Sequence, residues 1–270
     1  NVPAFLWPIW KTDLGDEAVT VAKTLCQRAP AFLRVNIRKT TIEKAQKILS
    51  GDGIQTVKHP SIITALRVTE GQNKIKNCMA YKDGFVEIQD ASSQASVIDL
   101  PRDSNLKILD YCCGSGGKSL ALDAWTEGKI FAYDISPDRS FNLKTRAERS
   151  NAQITKISKP IKEMFDVIFC DVPCSGSGSW RRDPDGKWKL NAHSWKNLLN
   201  TQIEVLNEAK ELLKTDGILI YATCSVLLSE NYKQLEKFCS LNPEFEIKKA
   251  HQFLPSDLGD GFFYGFLKKK

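Results

Sequence analysis

From residue 106 onward, apolar runs of strand length alternate with amphipathic segments of helix length. The apolar runs are residues 106–113, 129–136, 152–158, 165–173 and 217–225, with weaker runs at 245–250 and 262–267. The helical segments between them are residues 117–126, 137–150, 194–214 and 229–240. Strands that alternate with helices of this length predict βαβ units and a mostly parallel sheet covered on both faces.

The first part of the chain has a different rhythm. Residues 15–27 and 41–53 have helical apolar spacing, whereas "FLRVNI" at 32–37 is typical of a strand. We therefore predict two domains, a small α+β domain over residues 1–75 and a larger α/β domain over residues 76–270.

Composition and cysteine usage narrow the class of protein. The chain has 270 residues, of which 42% are hydrophobic, and no apolar run approaches the roughly 18 residues of a membrane span. The opening "NVPAFLWPIW" lacks a basic stretch and a cleavage site, so we do not interpret it as a signal peptide. The eight cysteines and three histidines show no metal-binding spacing. We expect a cytoplasmic monomer with reduced thiols, no metal and no membrane partner.

Positive charge is concentrated at the start of the chain. The formal net charge is +6, and residues 1–75 hold 11 Lys/Arg against 6 Asp/Glu. This excess suggests a module that faces a polyanion, although a lysine-rich solvated surface explains it equally well on charge alone.

Side chains suited to chemistry follow the predicted strands at their carboxyl ends, where parallel sheets bind ligands. They are Asp110, Cys112, Cys113, Asp134, Asp171, Cys174, Thr223 and Cys224. Packing does not explain this pattern, so the sequence predicts a site at this edge of the sheet.

The segment "DYCCGSGGKS" at 110–119 follows a strand and opens a helix, and its glycines allow the backbone to approach a ligand. It matches neither the Walker phosphate loop nor G-x-G-x-x-G. Asp134 ends the next strand, at the spacing where an acidic residue binds ribose hydroxyls. This combination favours S-adenosylmethionine over a dinucleotide, with a simple tight turn as the alternative. The loop residues are Cys112, Cys113, Gly114, Ser115, Gly116, Gly117 and Lys118.

Cys174 and Cys224 each follow a strand and open a loop of small polar residues. If the two strands are neighbours, both thiols face one cleft. Inert buried cysteine is the ordinary alternative, and we apply it to Cys26, Cys78, Cys170 and Cys239. A nucleophilic thiol needs amides or cations nearby to lower its pKa, and Lys118, Arg181 and Arg182 are candidates.

A thiolate beside a methyl donor fits methylation at carbon 5 of cytosine. That carbon is too electron-poor to attack a methyl sulfonium, but addition of a thiolate to carbon 6 makes it nucleophilic. A base then removes the carbon-5 proton and the thiolate is eliminated. Asp171 is suited to bind the cytosine edge in the same cleft.

Four stretches resemble the RNA cytosine-5 methyltransferase family, and bacterial 16S ribosomal RNA enzymes in particular. They are "DYCCGSGGKS", "AYDISPDR", "DVPCSGSGSWRRDPDGKW" and "YATCSVLLSEN". The resemblance spans most of the chain. It implies a Rossmann-like S-adenosylmethionine methyltransferase domain whose last strand is antiparallel, preceded by a small RRM-like domain.

The resemblance also implies roles for single residues. Cys224 is expected to be the nucleophile, Cys174 to assist product release, and Asp171 to bind the target base. The loop 112–118 is expected to bind S-adenosylmethionine together with Asp134, Arg139 and Asp171. As RNA contacts, with ribosomal RNA as the expected partner, we assign Arg34, Arg38, Arg181 and Arg182.

Two departures from the family pattern stand out. The usual Cys-Ala-Ala-Pro-Gly-Gly-Lys is "CCGSGGK" here, and "ITKISKPIKEMF" offers no aspartate after the third predicted strand to contact adenine. Three alternatives stay open: a non-catalytic RNA-binding protein of the same fold, a methyltransferase acting on tRNA, and a Rossmann-type dehydrogenase. The dehydrogenase lacks its glycine signature here and leaves Cys174 and Cys224 unexplained.

Overall fold

The structure is a computed structural model that describes residues 2–270. The chain divides into two compact units. The central unit is Pro30–Pro160, and the terminal unit combines the residues up to Ala29 with Ile161–Lys270.

The elements are numbered in chain order. Up to residue 98 they are α1 (Trp7–Leu14), α2 (Glu17–Thr24), β1 (Ala31–Val35), α3 (Ile42–Gly51), β2 (Gln55–Lys58), β3 (Ala65–Glu70), α4 (Met79–Lys82), β4 (Val86–Ile88) and α5 (Ala91–Ile98). Beyond it they are β5 (Lys107–Asp110), α6 (Gly117–Trp125), β6 (Lys129–Ala132), α7 (Leu143–Ser150), β7 (Ile154–Lys156), β8 (Phe165–Asp171), α8 (Gly186–Lys189), α9 (Ala192–Lys210), β9 (Leu213–Thr223), α10 (Tyr232–Leu241), β10 (Phe245–Phe253) and β11 (Phe262–Lys269). Short 3₁₀ turns cover Gln72–Asn77 and Leu228–Glu230.

The central unit contains a small antiparallel sheet in the order β2-β3-β1-β4. The helix α3 covers it, and the Thr41 side chain caps that helix by accepting from the backbone N–H of Lys44. Leu33, Leu49 and Leu66 are fully buried between the layers. The strand β4 lies beyond residue 75, where the sequence analysis places a domain boundary, and that boundary stays a prediction.

The central unit also contains three parallel strands, β5, β6 and β7, with Ile130 of β6 paired with Ile108 of β5 and with Ile154 of β7. The helix α6 follows β5, and α7 precedes β7. This strand–helix alternation is the one that the apolar pattern predicts. The glycine loop of residues 112–118 lies at the carboxyl end of β5.

The terminal unit contains the strands β8, β9, β10 and β11. The strands β8 and β9 are parallel neighbours, with Phe169 paired to Ile220. The strand β11 runs antiparallel to both β9 and β10. The prediction of a mostly parallel Rossmann-like sheet with an antiparallel last strand is confirmed.

The helices α1 and α2 pack within the terminal unit. Trp10 is fully buried and stacks on Trp180, with ring centroids 5.6 Å apart and the planes 10° from parallel. Its indole N–H donates to the carbonyl of Ala18, which joins the two helices. The sequence analysis misses α1, although Pro8 lies in its first turn, where a missing backbone N–H costs nothing. Among residues 2–270, no helix has the length and apolarity of a membrane span.

Candidate active site

The glycine loop of the central unit has a backbone shape that side chains would disturb. Gly114 and Gly116 have φ angles of +48° and +86°. A Cβ on Gly116 would lie 2.2 Å from Cδ1 of Leu143, so the close approach of α7 requires glycine there. Gly117 is the first residue of α6, so backbone amides at its start face the loop.

Asp134 fixes this loop through its carboxylate. One oxygen accepts from the backbone N–H of Gly114 at 2.9 Å, and the other accepts from that of Ser136 at 2.9 Å. Since a carboxylate oxygen has two lone pairs, each oxygen can accept a further hydrogen bond from a ligand. Asp110 is buried at the end of β5 and accepts from the Ser119 hydroxyl at 2.6 Å.

The other predicted cofactor residues occupy different environments. Lys118 is buried, and its ammonium donates to Oγ of Ser93 at 2.5 Å. The Ser115 carbonyl and hydroxyl accept from the guanidinium of Arg146 at 2.7 and 3.0 Å. Arg139 is exposed, and Cys112 is half-buried.

Cys113 is a buried thiol that stays protonated. Burial, followed by the negative charges of Asp110 and Asp134, raises the pKa of its thiol to about 12. Its backbone N–H donates to the carbonyl of Tyr133 at 2.9 Å. Cys113 therefore contributes to the loop through its backbone hydrogen bond and its small side chain, and not through a thiolate.

The two predicted thiols meet in the terminal unit. The Sγ atoms of Cys174 and Cys224 lie 3.4 Å apart. Cys224 directly follows β9, and Cys174 lies three residues beyond β8, so the pairing of these parallel strands brings both loops to one edge. The backbone N–H of Gly178 donates to the carbonyl of Cys224 at 2.9 Å and ties the loops together.

The two thiols differ in acidity. With Cys174 as the donor, its S–H hydrogen bond stabilises a thiolate on Cys224, and this is the largest cause of the lowered pKa of Cys224. Ser179 supplies a second donor, while burial and the charges of Asp171 and Glu230 act in the opposite direction. The same hydrogen bond, followed by burial, raises the pKa of Cys174 well above its usual value. Cys224 is therefore the thiol that ionises first.

Glu230 holds the two thiol loops together. Its fully buried carboxylate accepts from the backbone N–H of Ser175 at 2.8 Å and from the amide of Gln202 at 3.2 Å through one oxygen. The other oxygen accepts from the Ser225 hydroxyl at 2.6 Å and from the Ser175 hydroxyl. Ser175 and Ser225 directly follow Cys174 and Cys224, so one side chain fixes the position of both thiols.

Further buried polar groups fix Glu230 itself. The Tyr221 hydroxyl donates to the Glu230 carbonyl at 2.5 Å, and burial raises the pKa of that hydroxyl well above its usual value. The Asn231 amide donates to the carbonyl of Ser225 at 2.9 Å. The sequence analysis misses these residues and Gln202. The only signal for them is a serine after each cysteine and the Glu-Asn pair in "YATCSVLLSEN".

An open cleft of about 540 Å³ exposes the thiol pair. Its lining includes Cys174, Ser179, Trp180, Lys189, Leu198 and Cys224. Asp171 lies half-buried at the carboxyl end of β8, opposite Ala222 of β9. Within residues 2–270, no group of three or more His, Cys, Asp or Glu side chains is arranged to hold a metal ion.

Two of the four arginines predicted to bind RNA are buried, and their role in RNA binding stays a prediction. Arg34 is 4% exposed and donates to Oε1 of Gln89 at 2.7 Å, and burial lowers its pKa to about 10. Arg181 is 8% exposed and forms an ion pair with Asp260 at 2.6 Å. Both guanidinium groups are buried in this structure, so a phosphate in solution has little access to them.

The other two arginines keep part of their surface. Arg38 pairs with Asp123 at 3.0 Å and its side chain is 46% exposed. Arg182 pairs with Asp260 and its side chain is 38% exposed. An RNA contact by either of these residues stays a prediction.

Comparisons with known proteins identify the class to which this fold and site belong. The model of the family described as "16S rRNA methyltransferase RsmB/F" matches residues 97–268, and this chain belongs to that family. A second model, a ferredoxin-like domain of RsmF/B-like methyltransferases, matches residues 2–74.

Individual relatives agree with this assignment. The chain is 33% identical over 261 residues to ribosomal RNA small subunit methyltransferase B of Klebsiella pneumoniae (strain 342), covering 90% of this chain and 60% of that protein. It is 32% identical over 269 residues to the protein of the same name from Pasteurella multocida (strain Pm70), covering 90% of this chain and 59% of that protein. The chain therefore spans about 60% of the length of these curated relatives.

Solved structures share the fold. The crystal structure of PH0851 superposes with a TM-score of 0.92 at 27% identity, covering 99% of this chain and 66% of that chain. NSun6 from Pyrococcus horikoshii, solved with SFG, gives a TM-score of 0.86 at 17% identity, covering 99% of this chain and 98% of that chain.

The acidity of the thiol pair gives the first prediction. Alkylation of Cys224 by iodoacetamide, followed across pH by mass spectrometry of its peptide, is expected to have a midpoint below that of an ordinary free thiol. Cys174→Ala removes the S–H donor that stabilises the thiolate, so the midpoint rises and alkylation below it slows. Cys174→Ser keeps an O–H donor and restores part of the wild-type midpoint. A midpoint that does not change in Cys174→Ala contradicts the assignment of Cys174 as donor.

The bridge formed by Glu230 gives the second prediction. Glu230→Ala leaves the Ser175 and Ser225 hydroxyls, the backbone N–H of Ser175 and the Gln202 amide without this acceptor, which destabilises the fold by about 3 kcal/mol. The thiols also lose their fixed separation, so phenylarsine oxide, which condenses with two adjacent thiols and releases water, captures Cys174 and Cys224 more slowly. Urea unfolding and peptide mass spectrometry measure the two effects.

The exposed Glu236 on α10 supplies the matched control. Glu236→Ala is expected to unfold and to react with phenylarsine oxide as the wild type does. A Glu230→Ala variant that behaves like Glu236→Ala in both measurements contradicts the bridging role.

Proposed function

We propose that this chain transfers a methyl group from S-adenosylmethionine to carbon 5 of a cytosine in RNA, with ribosomal RNA as the substrate class. One observation carries the proposal: the 3.4 Å separation of the Cys174 and Cys224 thiols at the ends of two adjacent parallel strands. Membership of the RsmB/F family and relatives named ribosomal RNA small subunit methyltransferase B support the substrate class.

The residues of the central unit fit a nucleoside cofactor. The free lone pairs of Asp134 suit the two ribose hydroxyls, and Gly114, with no neighbouring atom within 4 Å of where a Cβ would lie, leaves room for the ligand beside the backbone. The structural relative that was solved with SFG supports a ligand of this class. S-adenosylmethionine, when bound, supplies an electrophilic methyl group. We assign its binding to residues 112–118, Asp134 and Arg139.

In the proposed reaction Cys224 is the nucleophile because its thiolate forms more readily than that of Cys174. The thiolate adds to carbon 6 of the cytosine and shifts electron density to carbon 5. Carbon 5 would then bond to the methyl group as the methyl–sulfur bond of the sulfonium breaks and a neutral thioether leaves. Asp171 binds the cytosine edge and stabilises the charge that develops on the ring. A base then removes the proton from carbon 5, the carbon 6–sulfur bond breaks, and its electron pair returns to Cys224.

In the proposed reaction Cys174 assists the last step, and its position and pKa support this role. Its raised pKa keeps it protonated, and as a donor it lies within hydrogen-bond distance, 3.4 Å, of the Cys224 sulfur, which is the leaving group. A hydrogen bond to that sulfur lowers the pKa of the departing thiol and so favours elimination. The different roles of the two cysteines therefore follow from one hydrogen bond, in which Cys174 keeps the proton and the Cys224 sulfur accepts.

Trapping of the covalent intermediate tests the proposal. Wild-type protein, Cys174→Ala and Cys224→Ala are each mixed with total RNA and S-adenosylmethionine and resolved on a denaturing gel. An RNA–protein adduct is expected to accumulate in Cys174→Ala, because elimination is slowed, and to be absent from Cys224→Ala. Cys239→Ala, a substitution on α10, is the matched control and is expected to behave as the wild type.

Two results contradict the proposal in different ways. An adduct that requires Cys174 and not Cys224 reverses the two roles. Retained methyl transfer to RNA in Cys224→Ala shows that no covalent step on this thiol is needed.

A further inference from the structure

The short helix α8 presents an exposed tryptophan. Trp188 is 60% exposed, although contact of so large an apolar side chain with water is unfavourable. The ammonium of Lys187 lies over the indole, 5.2 Å from the ring centroid. The indole thus offers an open aromatic surface with a cation already beside it.

Trp188 belongs to a helix that borders the thiol cleft, although its indole is not part of the cleft lining. Gly186 and Lys189, on either side of Trp188 in α8, both line the cleft that contains Cys174 and Cys224. A group that stacks on the indole therefore lies outside the cleft, on the helix that borders it. Neither Trp188 nor α8 has a role in the proposed chemistry.

The segment before α8 is held firmly by the rest of the terminal unit. Trp180 stacks on Trp10, and its indole N–H donates to the carbonyl of Ser175 at 3.0 Å. The buried Arg181 donates to the carbonyls of Ser256 and Gly259 at 2.9 and 2.7 Å. An aromatic side chain on such an anchored segment is pre-organised, so less entropy is lost when a ligand binds it.

Lys189 is the cation beside Trp188 that an anionic ligand can reach. Lys187, which is buried, and Lys189, which is exposed, form no ion pair with any residue of the described chain, 2–270, and the exposed Asp185 lies in the same segment. Asp183 also lines the cleft, and its carboxylate accepts from the backbone N–H of Gly186 at 3.1 Å. An aromatic face bordered by unpaired lysines is the arrangement that binds single-stranded nucleic acid.

We propose that Trp188 and Lys189 form a binding site for an unpaired RNA nucleotide next to the target cytosine. The base of this neighbour stacks on the indole, and its phosphate pairs with Lys189. A cytosine that enters the cleft must leave its stack, so the adjacent base loses a stacking partner and the indole replaces it. This inference rests on the proposed function, because it takes the substrate to be RNA.

The test measures RNA binding without catalysis. A fluorescently labelled 20-nucleotide single-stranded RNA containing cytosines is titrated with wild-type protein, Trp188→Ala, Trp188→Phe and Lys189→Gln. Trp188→Ala is expected to weaken binding about 5- to 140-fold, the loss that follows from one base–aromatic stack. Trp188→Phe keeps a smaller ring and loses less. Lys189→Gln lowers the slope of log affinity against log salt by about one.

Leu241→Ala is the matched control, because Leu241 is also an exposed apolar residue, 63% exposed, on α10. Equal affinity in Trp188→Ala, Leu241→Ala and the wild type overturns the stacking site and leaves the proposed function standing. Failure of the wild type to bind the RNA at any salt concentration overturns the proposed function as well. Equal loss in Trp188→Ala for this RNA and for its duplex overturns recognition of an unpaired base.

Discussion

The buried carboxylate of Glu230 is the interaction on which the thiol site depends. A fully buried charge is stable only if its oxygens are satisfied, and here both are, each by two donors. Two of the partners, Ser175 and Ser225, directly follow the two cysteines. The need to satisfy one charge therefore fixes two loops that are 50 residues apart in the chain.

The fixed separation of the sulfurs produces their chemical difference. At 3.4 Å one thiol can donate to the other, so a single proton makes Cys224 the more acidic thiol and keeps Cys174 protonated. Neither sulfur needs a cation for this. The arginines expected to supply a positive field, Arg181 and Arg182, instead pair with Asp260. In the proposed reaction, the acidity of the nucleophile and the release of the product follow from the same contact.

The sequence predicts features that depend on neighbours in the chain or on strand order. The alternation of strands and helices, the glycine loop before α6 and the meeting of the two thiols all belong to this group. Contacts between distant segments were not predictable: the packing of α1 and α2 in the terminal unit rests on the stack of Trp10 on Trp180. The burial of Arg34 was also missed, because charge alone suggests a surface.

We propose that the methylated atom is carbon 5 of cytosine in RNA and that Cys224 makes this carbon reactive. RNA labelled with tritium at carbon 5 of its cytosines tests this most directly, because that proton must leave once for each methyl group added. We expect tritium release into water that equals methyl incorporation and that is abolished in Cys224→Ala. Methyl incorporation without tritium release would place the methyl group on another atom and contradict the account.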